Sequence, residues 1–291
     1  MFKTSKKTFV AAAAATALVA SPAAAQIKIG WTAWSDAEFV TKMAKKILED
    51  RLDEDVELVQ TGIAPQYQGV ASGDIDVMLM SWQPSTHSDY LENVGNKTVD
   101  LGMLYGHARL GWVVPDYVPK DQLNSLADLQ SEEMADKLNG TITGIDPGAG
   151  LTRLSKQAIK DYNLGEVGFN LQTSSGAGMT AAFERATSNE EWIVATSWTP
   201  HWMFGRWDAR FLKDPKGSLG SFERIHAIAR EGFYQENIDA AMTLSRMQLP
   251  LEQLQAAMFD AQETSYSKAV DKYIEENSER VDYWVTGEMG G

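Results

Sequence analysis

The sequence predicts an α/β fold of two lobes with a ligand cleft between them, and three observations carry that prediction. Short apolar runs alternate along the chain with amphipathic stretches, the pattern of strands exchanging with helices. The 291 residues exceed one typical compact unit and suggest about two. After Trp112 the chain meets Pro115, Pro119 and a polar interval, and then a fresh strand–helix alternation begins at Thr141. Clefts between such units are where small ligands usually bind.

In the first lobe, Ile27 to Trp31 is an opening strand. Glu38 to Leu52 carries Phe39, Val40, Met43, Ala44, Ile47 and Leu48 in a stripe of helical period, so it predicts a helix packed on a sheet. Val56 to Val59 is the next strand, and Pro65 to Ser72 a short helix stopped at Gly73. Ile75 to Met80 is almost continuously apolar, as in a strand buried on both faces. In the second lobe the expected strands are Thr141 to Ile145, Glu166 to Leu171 and Trp192 to Ser197, with helices from Gly150 to about Tyr162 and from Met179 to Ala186. The chain then returns through a strand at Ile225 to Ala229 and helices at Ile238 to Met247 and Leu251 to Tyr273. The expected organisation is a leader over 1–25, the first part of lobe I over 26–112, lobe II over 113–212 and the return to lobe I over 213–291.

The leader is read from Lys3, Lys6 and Lys7, an apolar run from Phe9 to Ala20, and Ala23-Ala24-Ala25 before Gln26. A charged start, a short apolar core and an A-x-A site in that order mark a secretory signal peptide cleaved after Ala25. With no cysteine in the chain there is no lipid-anchor site, disulfide framework or thiolate chemistry. The expected location is therefore the periplasm, in soluble form, with a monomer as the default expectation. A formal net charge of -14 argues against nucleic acid or an anionic membrane surface as partner.

Signatures of catalysis are missing. The chain has no G-x-S-x-G elbow, no H-E-x-x-H helix and no phosphate loop. His87, His107, His201 and His226 show no ligand spacing, so neither a metal nor another cofactor is expected. What the chain does have is nine tryptophans, several placed where a strand gives way to a loop. Trp31 and Trp34 follow the first strand. Trp82 and Trp198 occupy the same S-W-x-P turn in Ser81-Trp82-Gln83-Pro84 and Ser197-Trp198-Thr199-Pro200, one in each lobe. Ligands of open α/β sheets sit beyond the carboxyl ends of the strands, so these indoles are expected at the cleft mouth. A tetra-alkylated ammonium head cannot donate N–H bonds, and aromatic faces are its natural recognition element. Three desolvated contacts at up to about 2 kcal/mol each approach the roughly 8 kcal/mol of a micromolar complex. Trp112, Trp192 and Trp284 are expected to be core residues, and Trp202 and Trp207 are open between the two roles.

A counter-site for an anion is available. In Asp146-Pro147-Gly148-Ala149-Gly150 small residues lead into a helix, leaving backbone N–H groups at Gly148, Ala149 and Gly150 on the positive end of its dipole. Ser175-Gly176-Ala177-Gly178 has the same form. An aromatic cage with backbone donors describes a receptor for a zwitterion.

At these residues the chain resembles the glycine betaine, proline betaine and choline substrate-binding proteins of ABC importers. The resemblance runs over most of the chain after the leader. It is carried by Gly30-Trp31-Thr32, Gly73-Asp74-Ile75-Asp76, Trp82-Gln83-Pro84-Ser85-Thr86-His87, Gly144-Ile145-Asp146-Pro147-Gly148, Trp198-Thr199-Pro200-His201-Trp202 and Asp214-Pro215-Lys216-Gly217. It implies a type II-like periplasmic-binding-protein fold that closes on its ligand and a cage containing Trp82 and Trp198. It also implies a first-strand tryptophan at Trp31, or at Trp34 by a slightly different alignment, and a ligand contact from His201. An ABC permease and an ATPase are the implied partners. Two departures shape the cargo. Some members place a cage tryptophan directly after the Pro-Gly turn, where this chain has Ala149, leaving the third wall to Trp31, Trp34 or Tyr105. Choline-selective members have an acid two residues after the first-strand tryptophan. Counted from Trp31 that residue is Ala33, which favours a zwitterion such as glycine betaine over choline, with trimethylamine oxide and dimethylsulfoniopropionate open. A ligand sensor without a transport role, and an exported choline-ester hydrolase, are the readings of other classes.

Overall fold

The protein is described by a computed structural model covering residues 26–289; the leader expected over 1–25 lies outside the described residues. No described helix is long and apolar enough to cross a membrane. Nine strands form the framework: β1 (Ile27–Trp31), β2 (Val56–Gln60), β3 (Val77–Gln83), β4 (Thr98–Pro115), β5 (Thr141–Thr143), β6 (Asn170–Gln172), β7 (Val194–Thr199), β8 (Ala209–Phe211) and β9 (Glu223–Arg230). Lobe I is built on the order β2-β1-β3-β9-β4, and lobe II on β4-β7-β5-β6 with β8 also paired to β4. β1 runs parallel to β2 and β3, and β5 runs parallel to β6 and β7. The pairs joining β9 and β4 to their neighbours are antiparallel.

The 18-residue strand β4 belongs to both sheets. It pairs with β9 from Thr98 to Ala108 and with β7 from Arg109 onward. The chain thus changes sheets within a continuous strand, ahead of the expected 112/113 boundary. Each sheet has its own buried cluster. Lobe II packs Trp112, Val118, Leu126, Ile142, Tyr162 and Phe169, with the Trp112 indole N–H donating to Ser155 Oγ at 2.9 Å. Lobe I packs Phe39, Met43, Tyr67, Met78, Phe233 and Trp284 in a cluster that continues across the cleft to Trp198, Ile145 and Ala149. An apolar core that spans the cleft is that of a closed molecule.

Local chemistry explains where elements differ from expectation. The first helix begins at Ser35 rather than Glu38, because Trp34 is still extended (φ -108°, ψ 146°) and serves as its N-cap. That places Asp36 and Glu38 in its first turn, where the helix dipole favours acids. Glu166 and Val167 lie in a 3-10 turn (Leu164–Val167) instead of a strand. Asn163 (φ 52°) and Gly168 (φ 99°) bracket it in left-handed conformations that an extended strand cannot contain. The long final helix is two, Leu251–Glu263 and Tyr266–Glu276. Thr264 Oγ1 turns back to the Asp260 carbonyl at 2.7 Å, and Ser265 caps the new helix by accepting the Lys268 N–H.

Candidate functional site

The carboxyl ends of β1, β3, β5 and β7 converge on one small cavity, lined by Trp34, Trp82, His87, Ala149, Gly150 and Trp198 together with Thr86, Leu110, Ile145 and Leu151. Side chains from both lobes form the wall.

One indole is placed by a helix cap and two by strand pairing. Trp34 caps the helix Ser35–Leu52, is 6% exposed, and donates Nε1–H to Asp146 Oδ2 at 2.9 Å. Trp82 is held in β3 opposite Ile225 of β9 and directs its Nε1–H at Met80 Sδ, 3.2 Å away. Trp198 is held in β7 opposite Leu110 of β4 and donates to Asp36 Oδ1 at 3.1 Å. The Trp34 and Trp198 rings stand 6.4 Å apart at 60°, two walls meeting at a corner. With every indole N–H engaged, the cavity is left aromatic faces.

Opposite them, the helix Gly150–Asp161 begins at Ala149, which offers no side-chain cap, and its first residues line the cavity. The Ala149 N–H is spent on the Asp146 carbonyl at 3.0 Å, so the free donors belong to the first turn beginning at Gly150. Gly150 is there because nothing larger fits. A β-carbon at that position would lie 2.5 Å from Thr86 Cγ2 and 2.6 Å from the Thr86 carbonyl oxygen, across the cleft.

His87 is 1% exposed, and burial holds its pKa down to about 3, so the ring is neutral. Its Nδ1 accepts the Trp82 backbone N–H at 3.1 Å, which leaves the proton on Nε2 and makes that atom a donor. The loop carrying it is pinned by buried Glu223, whose carboxylate accepts the Thr86 backbone N–H (3.1 Å) and hydroxyl (2.9 Å). Asp36 is fully buried behind Trp198. It accepts from Trp198 and from the Tyr105 hydroxyl at 2.8 Å, and burial raises its pKa to about 6 despite those bonds. At neutral pH a mostly ionised carboxylate therefore backs the aromatic corner.

Several sequence expectations are relocated. Trp31 does not line the cavity; its ring packs under the Lys42 ammonium, 5.8 Å from the centroid. Gly148 is at the rim, where its carbonyl accepts the Tyr90 hydroxyl at 2.6 Å. His201 is behind the wall rather than in it: its ring packs edge-on to Trp198 at 4.6 Å, and its Nδ1 accepts the Met203 N–H. Trp202 and Trp207 continue that packing outward, 5.4 Å apart. Tyr105 supplies no wall but fixes Asp36. Since Trp34 is the cavity residue of the first-strand pair, the position two residues on is Asp36 and not Ala33, and the argument against choline from a missing acid falls.

Sequence reasoning missed His87, Thr86 and Asp36. Asp36 had a signal, an acid in the first turn of an amphipathic helix; Thr86 and His87 stood inside the Trp82–His87 motif, but their place at the cavity depends on a loop folding back on Trp82.

Comparison with known proteins places this geometry in context. The substrate-binding domain of ABC-type glycine betaine transport systems matches residues 25–276. The glycine betaine/carnitine transport binding protein of Listeria monocytogenes is 38% identical over 157 residues, a match spanning 54% of this chain and 52% of that protein. The structure of lactococcal OpuAC, closed and complexed with glycine betaine, superposes with a TM-score of 0.82 at 31% identity, covering 90% of this chain and 99% of that one. The glycine betaine, L-proline-binding protein from Borrelia burgdorferi gives 0.83 at 30% identity, covering 89% and 96%. The chain belongs to the family of substrate-binding domains of ABC-type glycine betaine transport systems, with the two-lobe periplasmic-binding fold.

Proposed function

We propose that this chain is the exported solute-capture component of an ABC importer, binding glycine betaine or a closely related quaternary-ammonium zwitterion and delivering it to a membrane permease powered by a separate ATPase. One observation carries the reading: three indole faces, from Trp34, Trp82 and Trp198, line the same cavity as an uncapped helix start. The onium group takes the aromatic corner, where the Asp36 carboxylate adds attraction from behind. The carboxylate of the zwitterion takes the N–H groups at Gly150 and Leu151 and the Nε2–H of His87. The mechanism is capture by closure: each lobe brings part of the wall, and the closed form is what the permease reads. No step of this needs catalysis. The leader over 1–25 would direct the chain across the inner membrane and be cut after Ala25, leaving a soluble periplasmic monomer. Its lobes would exchange at Ala108–Arg109 of β4 and in the return segment before β9.

A second reading, choline, is favoured by the ionised acid behind Trp198, which suits a cation without its own carboxylate. Calorimetric titration of the chain from Gln26 onward with glycine betaine, choline, trimethylamine oxide and dimethylsulfoniopropionate decides between them. Glycine betaine is expected to bind most tightly, and His87→Leu is expected to weaken it about tenfold or more while sparing choline, the scale of a lost hydrogen bond to a charged group. Equal loss for both ligands would remove His87 from the anion site; no binding of any of the four would overturn the cargo class.

A further inference from the structure

We propose that Asp36 and Asp146 form a reciprocal clasp across the cleft, in which each lobe's cavity tryptophan donates its indole N–H to an aspartate of the other lobe, so that the aromatic corner exists only in the closed molecule and unclasping limits ligand release. This rests on the capture function proposed above.

The two bonds mirror one another. Trp34, which caps the first helix of lobe I, reaches Asp146 at the end of β5 in lobe II at 2.9 Å. Trp198, on β7 of lobe II, reaches Asp36 in that same first helix at 3.1 Å. They join residues 112 and 162 positions apart in the chain, so neither is a local bond of folding. Trp82 is the contrast: its indole N–H stays within lobe I on Met80 Sδ. Each acceptor residue also makes contacts within its own lobe. Asp36 is held by Tyr105, and the Asp146 main chain is held by the Thr152 hydroxyl at 2.7 Å and the Ala149 N–H at 3.0 Å. Each aspartate is thus tied to its own lobe, and each indole crosses to it from the other.

Bonds from an N–H to a carboxylate belong to the stronger class. These two also orient the rings that a bound cation would touch, so the contact that recognises the ligand and the contact that shuts the cleft share the same side chains. A cation in the corner raises the cost of rotating either indole away. The clasp in turn keeps the rings at the 60° corner angle.

Stopped-flow tryptophan fluorescence with glycine betaine separates association from dissociation. Asp146→Ala is expected to speed dissociation about tenfold with association changed little, as for a lost bond to a charged acceptor. Asp146→Asn, which keeps the size and a neutral acceptor, should fall between. Trp34→Phe keeps an aromatic wall but removes the donor, and its combination with Asp146→Ala should release ligand no faster than Trp34→Phe alone. Indole N–H resonances of the protein saturated with whichever of glycine betaine, choline, trimethylamine oxide and dimethylsulfoniopropionate binds supply a readout independent of cargo: the Trp34 signal is expected to be protected from solvent exchange and to lose that protection in Asp146→Ala. Loss of protection in a protein that ignores glycine betaine would sink the cargo assignment and leave the clasp standing. An unchanged Trp34 signal in Asp146→Ala, or rate effects of the two substitutions that simply multiply, overturns the clasp.

Discussion

Replacing Gly150 by alanine should separate closure of the cleft from folding of the lobes. The added β-carbon would lie 2.5 Å from Thr86 Cγ2, 2.6 Å from the Thr86 carbonyl oxygen and 3.3 Å from His87 Cδ2, all in the opposite lobe. Ordinary carbon contacts are about 3.5–4.0 Å, so the lobes must stand off by roughly 1 Å, which forfeits a quarter to a half of each dispersion contact across the gap. The same gap draws the Trp198 wall away from the two indoles of lobe I, and losing one desolvated cation–π contact of about 2 kcal/mol weakens binding by about thirtyfold. The unliganded fold should not suffer. Gly150 is not in a left-handed conformation, and alanine at a compatible position gains about 0.4–1 kcal/mol through the unfolded chain. Titration with glycine betaine and thermal unfolding of the same sample test both halves. Affinity within about threefold of the parent would refute the steric argument, and a melting point lowered without ligand would show that the contact belongs to folding instead of closure.

Two further outcomes follow from burial. His87 and His201 are held neutral to about 3, so unfolding below pH 6.5 takes up a proton at each; Asp36, raised to about 6, releases one over the window from about 6 down to 4. Near pH 5 the net uptake is about one proton, so stability should fall with falling pH by on the order of 1 kcal/mol per unit, and Asp36→Asn should steepen that fall. Urea unfolding between pH 4.5 and 7 measures it, and a flat profile would contradict the assignment. Trp284, 1% exposed on the last helix (Ser278–Thr286), should cost about 3–5 kcal/mol when cut to alanine while leaving glycine betaine affinity unchanged in the folded fraction. A matching loss of affinity would mean that this helix reaches the site.

Much of the framework was legible because periodicity reports burial directly. β1, β3, β7 and β9 lie close to where their apolar runs placed them, and Trp112 and Trp284 are core as expected. The failures have one physical form: they depend on what touches a residue from far along the chain. Trp31 and Trp34 both follow a strand end, and choosing between them requires knowing that Trp34 turns out of β1 to cap a helix while Trp31 lies under Lys42. His201 was drawn into the site by its position after W-x-P, yet the chain turns so that it braces Trp198 from behind, and His87, five residues after Trp82, takes the cavity position instead. The change of sheets inside β4 was invisible for a similar reason, since a strand's sequence does not say which partner it has at each end.

The strand order of lobe I bears on how the chain is made. β9, the last strand in sequence among the described residues, sits between β3 and β4, strands formed from residues that precede it by more than a hundred positions. Until it emerges, β3 and β4 each present an unpaired edge that nothing earlier in the chain can fill. The strands of lobe II from β4 to β8 are by then all synthesised, and that lobe can condense first. During synthesis the segment from Ile27 to Pro115 therefore waits as an unfinished sheet, its central position open until β9 arrives more than a hundred residues later.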